Sequence, residues 1–237
     1  MKNLLVGSVC SVLTLFSTAS FSQEEKSIAT ELELGAIITS GNTEDENIKY
    51  GLTIDWDRGD WDYRFSSDGF RSSRESDLTA QRLYHVANAD YTFDAASFIK
   101  TRLAYEDDRF SGFESQSDFT INYGRKLLLD RDNMSLALNF GAGVRRSETE
   151  TDTENVAITR FEGNYEWNLS ETAKLLQDFS IDSGSDSNIY RSESAIQTNI
   201  LDNLSMKFSV KVKHQTDVPI NREKTDTQTA ITLVLDF

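Results

Sequence analysis

The chain contains 237 residues, of which 39 are acidic and 24 are basic, so its formal net charge is −15. This charge excludes binding to nucleic acid or to anionic lipid by bulk electrostatic attraction. The one cysteine, Cys10, lies in a segment that we expect to be removed, which excludes disulfide bonds, thiolate metal sites and a cysteine nucleophile from the mature protein.

Residues 1–22 have the pattern of a secretory signal peptide. Lys2 supplies the positive charge, residues 4–16 form an apolar stretch, and small residues flank the expected cleavage after Ser22. The apolar stretch is too short for a transmembrane helix, which needs about 20 residues. We therefore expect an exported protein in which residues 23–237 form one domain.

The remainder of the chain is dominated by alternation of apolar and polar residues. This period of two is typical of a strand with one apolar face. The clearest case runs from Met134 to Arg145. We predict about twelve strands of roughly 9–11 residues each, the length with which a tilted strand crosses a bilayer. In chain order, their alternating segments cover residues 30–38, 48–56, 61–66, 82–93, 99–106, 118–123, 134–145, 160–167, 175–181, 193–200, 206–213 and 227–237.

The connections between these strands alternate in length. Short turns are predicted at 57–60, 94–97, 129–133, 169–172 and 201–205, and longer loops at 40–47, 71–79, 107–117, 147–155, 182–191 and 214–226. Outer-membrane barrels place short turns on the periplasmic side and long loops outside. The sequence thus predicts an all-β fold, a transmembrane antiparallel up-and-down β-barrel with both termini in the periplasm.

Aromatic residues cluster at the predicted periplasmic strand ends, as in Trp56 with Trp61 and Tyr165 with Trp167. Such rings are favourable at the level of the lipid headgroups, so they indicate an aromatic girdle. The alternative fold is a secreted β-sandwich or a lipocalin-like binder, whose exterior would have to be soluble throughout.

The last strand carries a candidate assembly signal. Its apolar face consists of Ile231, Leu233, Leu235 and the final residue, Phe237. This ending resembles the C-terminal insertion signal of bacterial outer-membrane proteins. A barrel in lipid needs its last strand to pair with its first, because an open sheet edge would leave polar backbone groups in hydrocarbon.

Three segments together resemble one known family. They are Gly35 with the turn Thr39-Ser40-Gly41-Asn42-Thr43, the segment 105–110 (Tyr-Glu-Asp-Asp-Arg-Phe), and the closing strand. The sequence is similar to the family of salt-induced outer-membrane proteins, whose function is unknown. The resemblance implies a Gram-negative outer-membrane barrel and, through the family's name alone, a link to salt or osmotic stress.

Catalytic and metal sites find little support in the sequence. His85 and His214 are the two histidines, and neither is surrounded by a nucleophile motif of the kind that a lipid-hydrolysing barrel needs. The acidic cluster at 182–186 lacks the later glutamate of a calcium loop. We expect no catalytic residue, no cofactor and no specific metal site, and a phospholipase-like barrel enzyme is the alternative.

Charged residues recur at the positions that face the interior of the predicted barrel. They alternate in sign, so they either pair across strands and fill the bore or line a narrow aqueous pore. A basic stripe on one strand, Lys207, Lys211 and Lys213, raises the hypothesis of a path for anionic solutes, against the alternative of salt-bridged packing. The candidate lumen residues are Lys49, Arg64, Arg82, Lys100, Arg102, Glu106, Arg145, Arg160, Glu162, Lys207, Lys211 and Lys213.

These patterns favour a non-enzymatic protein of the bacterial outer membrane with a structural or narrow-pore role. The partners that we expect are outer-membrane lipid and lipopolysaccharide at the loops and the outer-membrane insertion machinery at the last strand. No nucleic-acid partner is expected, and the sequence does not identify a solute.

We predict that deletion of Phe237 impairs assembly of the barrel and leaves secretion intact, because the closing strand loses its terminal aromatic. Heat-modifiable migration of the membrane fraction on gels measures assembly. Migration that is unchanged from that of the full-length chain would contradict the role of Phe237 in insertion.

Overall fold

A computed structural model describes residues 28–40, 46–74, 77–108, 113–149, 152–220 and 222–237. The predicted signal peptide, 1–22, lies outside these residues. The described part of the chain contains twelve strands and no helix of the length and hydrophobicity that a membrane-spanning helix requires. The strands are β1 (Ile28–Ser40), β2 (Glu46–Arg58), β3 (Trp61–Arg74), β4 (Asp77–Thr92), β5 (Ser97–Asp108), β6 (Ser115–Leu127), β7 (Met134–Glu148), β8 (Thr153–Asn168), β9 (Ala173–Gly184), β10 (Asn188–Leu201), β11 (Leu204–Gln215) and β12 (Thr225–Asp236).

The strands form one closed antiparallel barrel in which each strand pairs with its neighbours in the sequence. Closure comes from β1 and β12, with Leu34 opposite Leu233 in the register. The backbone groups of Thr30 and Phe237 exchange two hydrogen bonds of 3.2 and 2.9 Å, so the pairing extends to the last residue. The predicted all-β up-and-down barrel of about twelve strands is confirmed.

The predicted strands were too short, and the predicted long loops were therefore too long. The strands have 12 to 16 residues, and they extend through much of the predicted long loops. β3 continues to Arg74 and β4 begins at Asp77, although 71–79 was predicted as a loop. Twelve residues span about 40 Å along a strand and about 30 Å along the axis of a barrel whose strands tilt by about 40°.

The outward face of the barrel is apolar and exposed. Leu34 is 62% exposed and Phe140 61%, although both lie in the middle of regular strands, and Ile48, at the loop end of β2, is 69% exposed. Ile231, Leu233 and Phe237 of the closing strand are exposed on the same outer surface. Exposed apolar side chains around a whole barrel constitute a patch far larger than those normal for a soluble monomer.

Aromatic side chains contact one another at the end of the barrel that carries both described termini, hereafter the terminal end. The ring of Trp61 stacks on Tyr63 with centroids 5.9 Å apart and lies 5.1 Å from Tyr91. Trp56 lies 5.3 Å from Tyr63. These contacts join β2, β3 and β4 into one outward aromatic band, the position that the sequence analysis assigned to a girdle.

The inward face contains small and apolar residues as well as charged ones. At the opposite end of the barrel, hereafter the loop end, Ile37, Phe70 and Ala230 form a small buried cluster. Near the terminal end the ring of Phe98 lies over Gly124, where an added Cβ would be only 2.1 Å from the ring. Gly124 therefore allows the aromatic ring of Phe98 to lie flat against the inner wall at this level.

Candidate functional site: the charged bore

The structure places the twelve candidate lumen residues on the inward-facing register of their strands. Side chains on this register alternate with the exposed apolar ones, as in β6, where the buried Asp118, Thr120 and Asn122 alternate with the exposed Phe119 and Ile121. Ion pairs between strands that are not neighbours provide independent evidence, because such strands meet only across the interior. Of the twelve, Arg64 differs in that its side chain is exposed at the terminal end, where it donates to Asp55.

One carboxylate joins opposite walls of the barrel. Glu106 of β5 accepts hydrogen bonds from Arg82 Nε at 2.8 Å, Lys213 Nζ at 2.8 Å and Arg191 Nη2 at 3.1 Å. β5 and β11 are six places apart in the ring of twelve strands, so they lie diametrically opposite each other. We call these four residues the clasp. The clasp crosses the bore near its loop end.

An ion-pair chain continues from the clasp toward the terminal end. Arg191 Nη1 lies 2.9 Å from Asp182, which lies 2.7 Å from Arg160. Arg160 also donates to Glu162, whose other oxygen lies 3.0 Å from Lys100 Nζ. Lys100 ends the chain with Asp90 at 3.8 Å. The charged side chains of five strands are thereby connected, because each guanidinium or ammonium group has donors for two carboxylates.

A second cluster lies around Glu33. Lys49 Nζ is 2.7 Å and Lys207 Nζ is 3.7 Å from the carboxylate of Glu33. Glu193 lies 3.2 Å from both Lys207 and Lys211, and Lys211 lies 3.5 Å from Asp68. Three basic and three acidic side chains meet here, so the Glu33 cluster is balanced in charge.

The basic stripe of the sequence is therefore divided between two groups of ion pairs. Lys207 and Lys211 belong to the Glu33 cluster, and Lys213 belongs to the clasp. Each of the three has a carboxylate within 4 Å, which is the arrangement of the salt-bridged alternative. Arg145 belongs to neither group, because its ion pair is with Asp118, at 2.9 Å.

Arg102 differs from these residues. It is 2% exposed, and its Nη2 donates to the hydroxyl of Tyr84 at 2.5 Å. The ring of Tyr84 lies 5.5 Å from the guanidinium carbons of both Arg82 and Arg191. Arg102 is thus joined to the clasp through an aromatic residue rather than through a carboxylate.

A polar cavity of about 240 Å³ lies within the bore beside these groups. Its lining is charged in both signs. Basic side chains come from Arg82, Arg102, Arg160, Arg191, Lys211 and Lys213, and acidic ones from Asp68, Glu162, Asp178, Glu193 and Asp226. A cavity with this lining has room and polar partners for several water molecules, each of which needs about 10–15 Å³ of such volume.

Sequence reasoning did not identify three residues of this site. Asp182 and Arg191 were assigned to a loop at 182–191, and Asp182 was considered as part of an acidic cluster. The structure places Asp182 at the end of β9 and Arg191 in β10, both with their side chains in the bore. Tyr84 shares the inward register of Arg82, so alternation along β4 was the signal that could have identified it. The segment 182–188 has no apolar residue and gave no such signal for Asp182 and Arg191.

Neither histidine contacts a serine hydroxyl, the nucleophile of the outer-membrane phospholipases, in the described residues. The ring of His85 is stacked between Phe65 and Tyr105 on the outer surface, at 6.3 and 6.4 Å. His214 Nδ1 lies 2.8 Å from the hydroxyl of Thr225. The serines that precede His85 by twelve and nine residues, Ser73 and Ser76, have side chains outside the described part of the chain. Across these residues, no group of three potential ligands has the geometry of a metal site.

The sequence profile of one family, described as "Protein of unknown function, DUF481", matches residues 32–237. The chain belongs to this family. It is also 28% identical over 211 residues to the uncharacterized protein YdiY of Escherichia coli (strain K12), an alignment that covers 85% of this chain and 80% of YdiY. The resemblance to a family of unknown function is therefore confirmed.

Two solved porins have similar folds. The NanC porin superposes with a TM-score of 0.60 at 9% sequence identity, covering 86% of this chain and 98% of NanC. The KdgM porin in complex with disordered oligogalacturonate superposes with a TM-score of 0.52 at 12% identity, covering 87% of this chain and 99% of KdgM. The architecture is that of a porin-like barrel.

Proposed function

We propose that this protein is a non-enzymatic barrel of the Gram-negative outer membrane that forms a narrow pore for small polar solutes. The observation that carries the proposal is the clasp, which lies beside a charged cavity inside a closed barrel. Buried ionised groups are stable only when they are paired or hydrated. The cavity supplies room for water, and the clasp constricts the path at one level.

The outward surface supports the proposed location. Its exposed apolar residues would contact hydrocarbon, and the aromatic band at the terminal end would lie at the level of the headgroups. We further propose that lipopolysaccharide surrounds the loop end and that the insertion machinery recognises β12. A link to salt or osmotic stress is a proposal that rests only on the resemblance found in the sequence.

The similar folds support a pore without defining its solute. KdgM was solved with an oligogalacturonate, a chain of acidic sugars, but a likeness of 12% identity concerns the fold alone. In the present barrel, ion pairs join opposite walls beside a cavity of about 240 Å³. We therefore propose a solute no larger than a single sugar unit.

A purely structural barrel is the second candidate, and the clasp also favours it. The Glu106–Lys213 contact of 2.8 Å crosses the bore directly, so a clasp that never opens would prevent passage of solutes. The two candidates differ in conductance, which makes them separable in one experiment.

The substitution Phe140→Arg tests the outward face. Phe140 lies near the centre of β7, and arginine at the bilayer midplane lowers the free energy of unfolding by about 2–4 kcal/mol. Asn164→Arg is the matched control, because Asn164 faces inward and donates to Asp178, which would pair with the new arginine. Unfolding by urea in lipid vesicles measures the free energy of unfolding of both variants. Equal losses of this free energy would contradict the assignment of Phe140 to the outward face and Asn164 to the inward face.

The substitution Glu106→Gln tests the constriction. It removes the carboxylate that holds Arg82, Arg191 and Lys213 together, so their mutual repulsion should widen the bore and favour anions. We expect single-channel conductance in a planar bilayer to increase and the reversal potential in a salt gradient to shift toward anion selectivity.

The control for this experiment is Glu166→Gln, which removes one inward carboxylate from a partly exposed pair with Lys174. We expect its conductance to equal that of the unmodified protein. If neither the unmodified protein nor Glu106→Gln shows single-channel conductance, the proposed pore is contradicted and the structural barrel is favoured.

A further inference from the structure

Arg102 is a buried cation with no carboxylate within 4 Å among the described residues. Six basic residues are buried in the described part of the chain: Lys49, Arg82, Arg102, Arg145, Arg160 and Lys213. Five of them have a carboxylate within 4 Å. Arg102 forms no ion pair among these residues, and its Nη1 has no hydrogen-bond partner there.

This arrangement is unfavourable unless something else neutralises the charge. A guanidinium group does not lose its proton in a protein, so burial cannot convert Arg102 to a neutral form. A buried ion without a partner is strongly destabilising, whereas a buried ion with a well-placed partner is tolerated. The carboxylates of Glu162 and Asp182 act on Arg102 only at longer range, so a negative group in direct contact with the guanidinium would stabilise the site.

The two carboxylates that act on Arg102, those of Glu162 and Asp182, already form ion pairs with other cations. The chain that begins at the clasp contains five basic and four acidic side chains: Arg82, Lys100, Arg160, Arg191 and Lys213 against Asp90, Glu106, Glu162 and Asp182. Arg102 adds a further positive charge beside this chain, and Asp178, which lines the same cavity, adds a negative one. The Glu33 cluster, by contrast, contains equal numbers of acidic and basic side chains.

We infer that Arg102 and Tyr84 form a binding site for one small oxyanion, a carboxylate or a phosphate group, in the cavity of the bore. Both residues line this cavity. Arg102 Nη1 is free to donate, and the Tyr84 hydroxyl, which accepts from Arg102 Nη2, retains its own proton for donation. A planar guanidinium matches the geometry of two oxyanion oxygens better than an ammonium group does.

The competing occupant is water. The amide oxygen of Asn88, opposite Arg102 in the register, also has no partner within the described residues, and a water could bridge the two side chains. Such a water would satisfy the hydrogen bond but would bring no negative charge into contact with the guanidinium. Charge therefore favours the oxyanion over water.

This inference deepens the proposed function, because it names the class of solute that the bore would hold, and it rests on that function for entry of the solute. Isothermal titration calorimetry of the full barrel in detergent tests it. The probes are galacturonate, inorganic phosphate and, as a neutral analogue, galactose, all at constant ionic strength. Galacturonate and phosphate distinguish a sugar acid from a phosphate as the source of the oxyanion.

We expect at least one of the two anions to bind and galactose not to bind. Arg102→Met should weaken that binding by at least about 10-fold, the effect of losing one charged hydrogen bond. Tyr84→Phe keeps the ring and removes the hydroxyl, so it should weaken binding by a smaller factor. Should Arg102→Met fail to fold, the affinities of Arg102→Lys and Tyr84→Phe test the site instead. Arg102→Lys keeps the charge but loses the planar guanidinium group, so both variants should bind the anion more weakly than the unmodified protein.

The matched control is the double variant Arg145→Met/Asp118→Leu, which removes another buried arginine together with its partner. Its anion affinity should equal that of the unmodified protein. Failure of both anions to bind the unmodified barrel, or equal affinities for the Arg102 variant and the control, would overturn the site. Conductance is measured separately. A barrel that binds anions but shows no conductance would contradict the proposed pore and would still support the Arg102 site.

Discussion

The pairing of charges across the bore is the interaction on which the rest of this structure depends. Closure of β1 on β12 removes the open edges of the sheet, but it also encloses charged side chains from all sides. Each enclosed charge then needs a partner on another strand. Glu106 meets this need for three cations from β4, β10 and β11 at once, which ties opposite walls together and constricts the bore at this level.

The two groups of ion pairs differ in a way that bears on function. The Glu33 cluster has equal numbers of positive and negative side chains, so it can stabilise the wall without any ligand. The ion pairs of the clasp and its chain contain one more basic than acidic side chain, and Arg102, which has no carboxylate within 4 Å, lies beside them on the cavity. We therefore propose the cavity beside Arg102, and not the Glu33 cluster, as the place where an anionic solute would bind.

Alternation along the sequence predicted the barrel, its strand number and the inward position of residues such as Glu106 and Lys213, because a period of two directly records which face of a strand is apolar. The strand ends were predicted less well. Segments such as 182–191 are rich in Ser, Asp and Gly, which is typical of loops, and the alternation there is polar on both faces. Asp182 and Arg191 were missed for this reason. The clasp itself was beyond sequence reasoning, since contacts between β5 and β11 depend on the diameter of the closed barrel.

A double-mutant cycle between Glu106 and Lys213 tests the central claim most directly. The variants are Glu106→Gln, Lys213→Met and the combination, and the measurement is the free energy of unfolding of each barrel in lipid vesicles. Side chains that meet across the bore should give a coupling energy of at least about 1 kcal/mol. If the effects of the two single substitutions on the free energy of unfolding add up to that of the double variant within about 0.3–0.5 kcal/mol, as for residues without contact, the contact between Glu106 and Lys213 across the bore is contradicted.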